Sequence, residues 1–281
     1  MNKFIINPLS REELALFLDD KSRDIIKYFI IKSLFSQPES KVGQKNLPIQ
    51  IPKEHIEQWF TQALNVKPVG AGSYPVDIYN ENEHWGADVK MLNIKVDSSG
   101  NVKNGDSGEA SLGQKFTGTG LSLDDLFLTK RYEDIKNGWI NLYKEKYKAL
   151  KTRYPSIKKI FYFFILRPGI QEIGTDFYFT GAVLNLNKIN NVIVDLERTT
   201  NSSVYLKNFI SSEFGNTKIY KAKKRLELRL SPKKWVDSGC AIRISTSFNS
   251  DKVDLRDKKI NASYLKKEMD KMTKIKINFE I

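Results

Sequence analysis

The stretch Pro75-Val76-Asp77-Ile78-Tyr79-Asn80-Glu81-Asn82-Glu83-His84-Trp85-Gly86-Ala87-Asp88-Val89-Lys90 decides how the rest of the chain reads. Residues 74–79 and 85–96 are rich in β-formers and flank the polar segment Glu81-Asn82-Glu83-His84, a pattern that predicts a hairpin or meander. With residues 81–84 as the turn, Asn80 lies opposite Trp85, and the same register sets Asp77 opposite Asp88. Residues paired in this way share a face, with Cβ atoms roughly 4.5 to 5.5 Å apart. Lys90 shares that face too, because side chains two apart on a strand point the same way. Two carboxylates and one ammonium are thus expected to converge on a point.

Carboxylates held so close repel, and a protein rarely keeps them together without a cation between them. Asp77 and Asp88, joined by the backbone carbonyl of Val89, make an oxygen-ligand set suited to Mg²⁺, which retains waters and takes up phosphate oxygens. Lys90 would orient or deprotonate the attacking water and offset charge in the transition state. These are the parts of a site that hydrolyses phosphodiesters. The alternative is a solvated surface pair of Asp88 and Lys90, with Asp77 as a turn residue. Ala87, Val89, Met91 and Leu92 weigh against it, since they make the strand apolar on its other face and then on both. A charge on an internal strand needs a task or a partner.

Around this hairpin, apolar residues at helical spacing between 13 and 35, among them Leu14, Phe17, Ile26, Ile30 and Leu34, predict one or two packed helices, with Ser10 and Glu13 as a capping pair. Ile56, Trp59, Phe60 and Leu64 stripe another helix, with Pro52 in its first turn. Residues 121–153 carry a long helical pattern closed by Pro155, and the run 157–166, nearly all apolar or aromatic with two lysines at its start, has the character of a buried central strand. Strands are expected at 177–184 and 191–196, a short helix at 204–214, lysine-rich strand at 218–230 and 240–245, and an amphipathic segment at 264–272. This order of helix, meander, helix and strand describes an α/β or α+β domain, and 281 residues fit a single one spanning 1–281.

The segment from Pro75 to Lys90 resembles the PD-(D/E)XK nuclease superfamily, in which a Pro-Asp on one strand and an Asp/Glu-X-Lys on the next build the metal site. Type II restriction endonucleases are its most familiar members. The likeness covers 16 of 281 residues and departs from the pattern in setting Val76 between Pro75 and Asp77. It implies a restriction-endonuclease-like core, a mixed β-sheet flanked by helices, with the C-terminal third (about 200–281) as a candidate recognition or dimerisation lobe. It implies Asp77, Asp88 and Lys90 as catalytic residues, with Asp77, Asp88 and the Val89 carbonyl holding Mg²⁺. It further implies double-stranded DNA cut at a short specific sequence, a homodimer, and a separate cognate DNA methyltransferase. The family often adds a carboxylate from the helix before the hairpin. Glu54 and Glu57 are the candidates, and each also reads as an ordinary first-turn glutamate. Gln114 stands where relatives often place a polar residue near substrate, and Thr117-Gly118-Thr119-Gly120 reads as a loop that could approach a phosphate backbone.

Composition agrees with a polyanionic partner: 46 Lys and Arg against 33 Asp and Glu give a net charge of +13. With 40% hydrophobic residues the chain can bury a full core, which excludes a disordered basic tail. One cysteine, Cys240, excludes a disulfide framework or a zinc ribbon, and no apolar run reaches the roughly 20 residues of a membrane helix, so a cytoplasmic protein with no membrane partner is expected. The cations thicken between 218 and 234, where Lys221, Lys223, Arg225 and Arg229 interleave with Tyr220 and Trp235. With Gln114, Lys115 and Arg243 they are candidates for DNA contact, though the same run reads as a solvated face. Only His55 and His84 are present, and there is no G-x-x-x-x-G-K-[ST], G-x-S-x-G or Rossmann fingerprint, which argues against His-rich metal sites, NTP hydrolysis and serine hydrolase chemistry. Two rivals to a restriction enzyme stay open: a repair or recombination nuclease that reads DNA structure, and a non-catalytic nucleic-acid binder.

Overall fold

The computed structural model describes residues 3–45, 51, 55–70, 74–114, 116, 120–169, 176–246, 252–272 and 277–280. Strand β1 (Ile6–Pro8) leads to Ser10, which starts α1 (Arg11–Ala15) through the expected capping pair. The Ser10 hydroxyl accepts the Glu13 N–H at 3.2 Å, and Glu13 Oε2 accepts the Ser10 N–H at 2.8 Å. Asp19 caps α2 (Asp20–Phe35) through its carboxylate, which accepts the Ser22 N–H at 2.7 Å. Then follow α3 (Ile56–Ala63), β2 (Lys67–Pro68), β3 (Ile78–Asn80), β4 (Trp85–Ile94), β5 (Ala110–Gln114), α4 (Leu123–Leu128), α5 (Tyr132–Arg153) and β6 (Lys159–Pro168). The order is completed by β7 (Asp176–Leu184), β8 (Ile193–Val194), β9 (Ser203–Lys207), β10 (Gly215–Tyr220), β11 (Arg225–Leu230), α6 (Pro232–Asp237), β12 (Ala241–Thr246), α7 (Ala262–Met272) and β13 (Ile277–Glu280).

Two sheets result. The larger runs β13-β12-β7-β6-β4-β3-β2, with β1 also pairing β7, and the smaller runs β5-β11-β10-β9-β8. Among the described strands only β4 and β6 pair in parallel, over Trp85–Ile94 and Lys159–Pro168. A parallel pair needs a crossover, and α5 lies within the connection that provides it. The larger sheet is therefore mixed and flanked by helices. The C-terminal third is shared between the sheets, with β9, β10 and β11 in the smaller and β12 and β13 in the larger.

The apolar run 160–166 makes sense once both faces of β6 are covered. Phe161, Phe163 and Ile165 pack with Leu14, Ile26, Ile30, Trp59 and Phe60 of the first three helices. Tyr162, Phe164 and Leu166 belong to the opposite cluster, with Trp139, Tyr143, Tyr147 and Leu150 of α5 and Val204, Ile219, Leu226 and Leu228 of the smaller sheet. A strand buried on both sides loses the polar alternation of a half-buried one.

Several expected elements differ in the structure. Residues 121–153 form two helices, because Lys130 takes a left-handed conformation (φ 55°) that ends α4 before α5 begins. The short helix expected at 204–214 is instead strand β9, in which Val204 and Leu206 turn inward while Lys207 faces out, and Asn208 (φ 67°) ends it. The lysine-rich stretch 218–230 is a hairpin of β10 and β11 that reverses near Lys224 (φ 45°). Pro52 lies outside the described residues. Among those residues no helix is long and apolar enough to cross a membrane.

Phe163 is fully buried, stacked on Phe60 at 5.9 Å and edge-on to Phe17 at 5.0 Å. Phe163→Ala is expected to lower stability by about 3 to 5 kcal/mol, read as a fall in the urea midpoint. Leu128→Ala, at a residue 79% exposed, should leave the midpoint nearly unchanged.

Candidate active site

The hairpin holds the expected register. Asn80 pairs with Trp85, Tyr79 with Gly86 and Ile78 with Ala87. The turn is fastened by Asn80 Oδ1, which accepts the N–H groups of Asn82 and Glu83 at 3.0 and 3.1 Å, and by His84 in a left-handed conformation (φ 59°). The Asp77 N–H still donates to the Ala87 carbonyl at 2.8 Å, the last backbone bond of the ladder. One step further the strand is replaced by a side chain: Asp77 Oδ2 accepts the Val89 N–H at 2.7 Å. An extended residue sends its N–H and its C=O to the same side, so the Val89 carbonyl faces the edge that Asp77 occupies.

Asp88 and Lys90 lie on the other face from Ala87, Val89 and Met91, which are buried with the first three helices. Lys90 Nζ is bonded to Asp88 Oδ1 and sits 3.6 Å from Asp77 Oδ2. The cation between the carboxylates in this structure is thus the lysine's own ammonium. Asp88 is only 7% exposed. Burial pushes its carboxyl up, Asp77 beside it adds to the push, and Lys90 opposes both, leaving it at about 8. Burial works against the Lys90 ammonium, but Asp88 and Asp77 outweigh it, so Lys90 holds its proton more tightly than a free lysine.

Two further groups belong to this setting. Glu57, in the first turn of α3, has its carboxyl raised by partial burial and then by the charge of Asp77, with Lys90 acting the other way. Of the two glutamates considered, Glu57 is therefore within electrostatic reach of the aspartates, and Glu54 lies outside the described residues. On the opposite side, Tyr162 of β6 is the register partner of Asp88. Its hydroxyl meets those of Tyr143 at 2.8 Å and Tyr147 at 3.3 Å, and the latter two are 3.3 Å apart. Lys146 lies on the same helix, and Asp88 acts on its charge. In the sequence Tyr143 and Tyr147 read as a helical core stripe. A buried tyrosine hydroxyl needs a partner, and here the three supply one another.

The donor set fits a hard divalent cation such as Mg²⁺: two adjacent carboxylates and a backbone carbonyl on the same edge. No three of His, Cys, Asp and Glu come together as a ready-made cage among the described residues. Mg²⁺ characteristically uses one or two carboxylates and completes its shell with water and phosphate oxygens. Asp77, Asp88 and the Val89 carbonyl would hold it.

The other expected contacts fall elsewhere. Lys223, Arg225 and Arg229 gather around Glu109, and Arg225 Nε also binds the fully buried Glu227 at 2.6 Å. Partial burial would raise the Glu109 carboxyl, but Lys223, Arg229 and Arg225 hold it down, to about 2. Lys221 is 3.9 Å from Asp124, and Arg243 binds Asp176 at 2.7 and 2.8 Å. Gln114 pairs with Arg225 across β5 and β11. Lys115 and residues 117–119 lie outside the described residues. His55 and His84 are exposed, as is usual for a helix start and a turn.

The raised Asp88 carboxyl makes metal-free stability depend on pH. Between the ordinary aspartate value and about 8 the folded protein keeps a proton that the unfolded chain releases. This stabilisation is complete at low pH and is lost as pH rises toward 8. In a chelator, Asp88→Asn should gain on the wild type in thermal unfolding from pH 5 to pH 8, by at most about 1.4 kcal/mol per pH unit, and the gap should stop widening above that. A gap independent of pH would contradict the burial argument. The sequence matches no protein-family model, no curated protein and no solved structure.

Proposed function

We propose that this protein is a Mg²⁺-dependent DNA endonuclease of the PD-(D/E)XK kind, acting as a Type II restriction enzyme. The observation that carries the reading is the convergence of Asp77, Asp88 and Lys90 where β3 leaves the ladder and its carboxylate takes over the Val89 N–H. Support comes from the mixed sheet around this point and from the net charge of +13.

Hydrolysis requires a water oxygen to bond to phosphorus while the opposite P–O bond breaks and the leaving oxygen gains a proton. A bound Mg²⁺ supplies charge neutralisation at the phosphate and makes water easier to deprotonate. Asp77 and Asp88 hold the positive charge at the strand edge, and the Val89 N–H fixes the Asp77 carboxylate in place. Lys90, with its proton tightly held, suits the orienting and charge-offsetting role better than that of a base. Glu57 adds negative charge within electrostatic reach of Asp77 and Lys90. A two-fold pair of such chains would present one site to each DNA strand, and a separate methyltransferase would protect the host's own sites.

With purified duplex DNA and Mg²⁺, Asp88→Ala and Lys90→Ala are each expected to lower the cleavage rate at least about 100-fold while the fold persists by circular dichroism. Cleavage surviving both changes overturns the reading. Discrete fragments from a phage genome are the expected product. Cutting confined to branched DNA would favour a structure-reading repair enzyme, and metal-indifferent, salt-sensitive binding without nicks would favour a simple binder.

A further inference from the structure

Helix α5 covers the face of β4 that carries Asp88, and three of its residues bear on the site. Tyr143 and Tyr147, one turn apart and both buried, direct their hydroxyls to Tyr162, the strand partner of Asp88. Lys146 lies between them in sequence, three residues after Tyr143 and one before Tyr147, so it projects from the same flank of the helix. Its neighbours Lys144, Lys148 and Lys151 are exposed, whereas Lys146 is half-buried.

Its partners set it apart further. Lys90 is engaged by Asp88 and Asp77 at once. Lys146 makes no ion pair among the described residues, and the one charge that acts on it is that of Asp88. Burial pulls its ammonium down and Asp88 only partly opposes this. A half-buried cation without a contacting anion is unfavourable unless an anion arrives to meet it. With a cation held by Asp77 and Asp88 at the strand edge, a phosphate bound there would have the α5 flank on its other side.

Resting on the nuclease reading, we propose that Lys146 is a second lysine of the site, which binds the phosphate under attack from the helix side. Its ammonium donates to a non-bridging oxygen and offsets charge that grows as the water bonds to phosphorus. Lys90 serves the carboxylate side, and Lys146 serves the substrate.

The test uses the full chain, a duplex that the wild type cuts with Mg²⁺, and the variants Lys146→Met and Lys146→Arg. Lys146→Met is expected to lower kcat about 100-fold with KM shifted less than about threefold. Lys146→Arg should recover to within about tenfold of the wild type. The melting temperature of Lys146→Met in chelator should hold or rise, since an uncompensated cation has been removed, whereas a merely structural lysine would show a fall. Cleavage by Lys146→Met within about threefold of the wild type, or a loss that tracks a lowered melting temperature without rescue by arginine, overturns the inference and leaves the nuclease reading in place. If the wild type cuts no duplex with Mg²⁺ or Mn²⁺, the nuclease reading itself falls and takes this inference with it.

Discussion

The site depends on two carboxylates that would rather be apart. Asp77 and Asp88 are brought side by side by a three-residue ladder, and each is tied down differently: Asp77 by the Val89 N–H, Asp88 by burial between β6 and α5. The repulsion is tolerated because Lys90 lies against both. Both faces of β4 must be covered for this to hold, since an open face would admit water and relax the electrostatics. The helices before the hairpin cover one face and α5 the other, so the aromatic packing around Phe163 and Trp139 sustains the charge arrangement as well as the fold.

How much of this was legible in the sequence follows from distance along the chain. The turn at 81–84 fixes its own register, so the meeting of Asp77, Asp88 and Lys90 needed only strand geometry. The capping pair at Ser10 and Glu13 and the buried run 160–166 are local signals too. Two misreadings were also local, but ambiguous. Residues 204–214 hold apolar side chains whose spacing fits a helix as readily as a strand, and the break at Lys130 depends on one backbone angle with no glycine to mark it. Lys146 escaped notice because one lysine among several on a helix carries no periodic signal. What sets it apart is Asp88 on the strand that α5 covers, far earlier in the sequence.

The basic run teaches the same lesson in reverse. Lys223, Arg225 and Arg229 read as open cations, yet they surround Glu109, more than a hundred residues away, and Glu227 on their own strand. Strand alternation does send Arg225, Glu227 and Arg229 to one face, and β5 brings Glu109 to it. Much of the local excess of charge is spent inside the protein, as a brace between β5 and β11. The overall charge of +13 is therefore a poor guide to which surface meets a polyanion.

The parallel pairing of β4 with β6 has a consequence for how the chain assembles. The hairpin of β3 and β4 can close early, because its strands are adjacent in sequence, whereas β6 must wait until the chain through residue 168 is available and α5 has crossed over. Asp77, Asp88 and Lys90 would thus meet in water first, where two ionised carboxylates and a solvated ammonium are unremarkable. The altered proton affinities rest on burial and would come only with the docking of α5 and β6, the non-local step. A growing or partly unfolded chain holds the residues of the site without its electrostatics, and maturation of the site is a folding event rather than a chemical one.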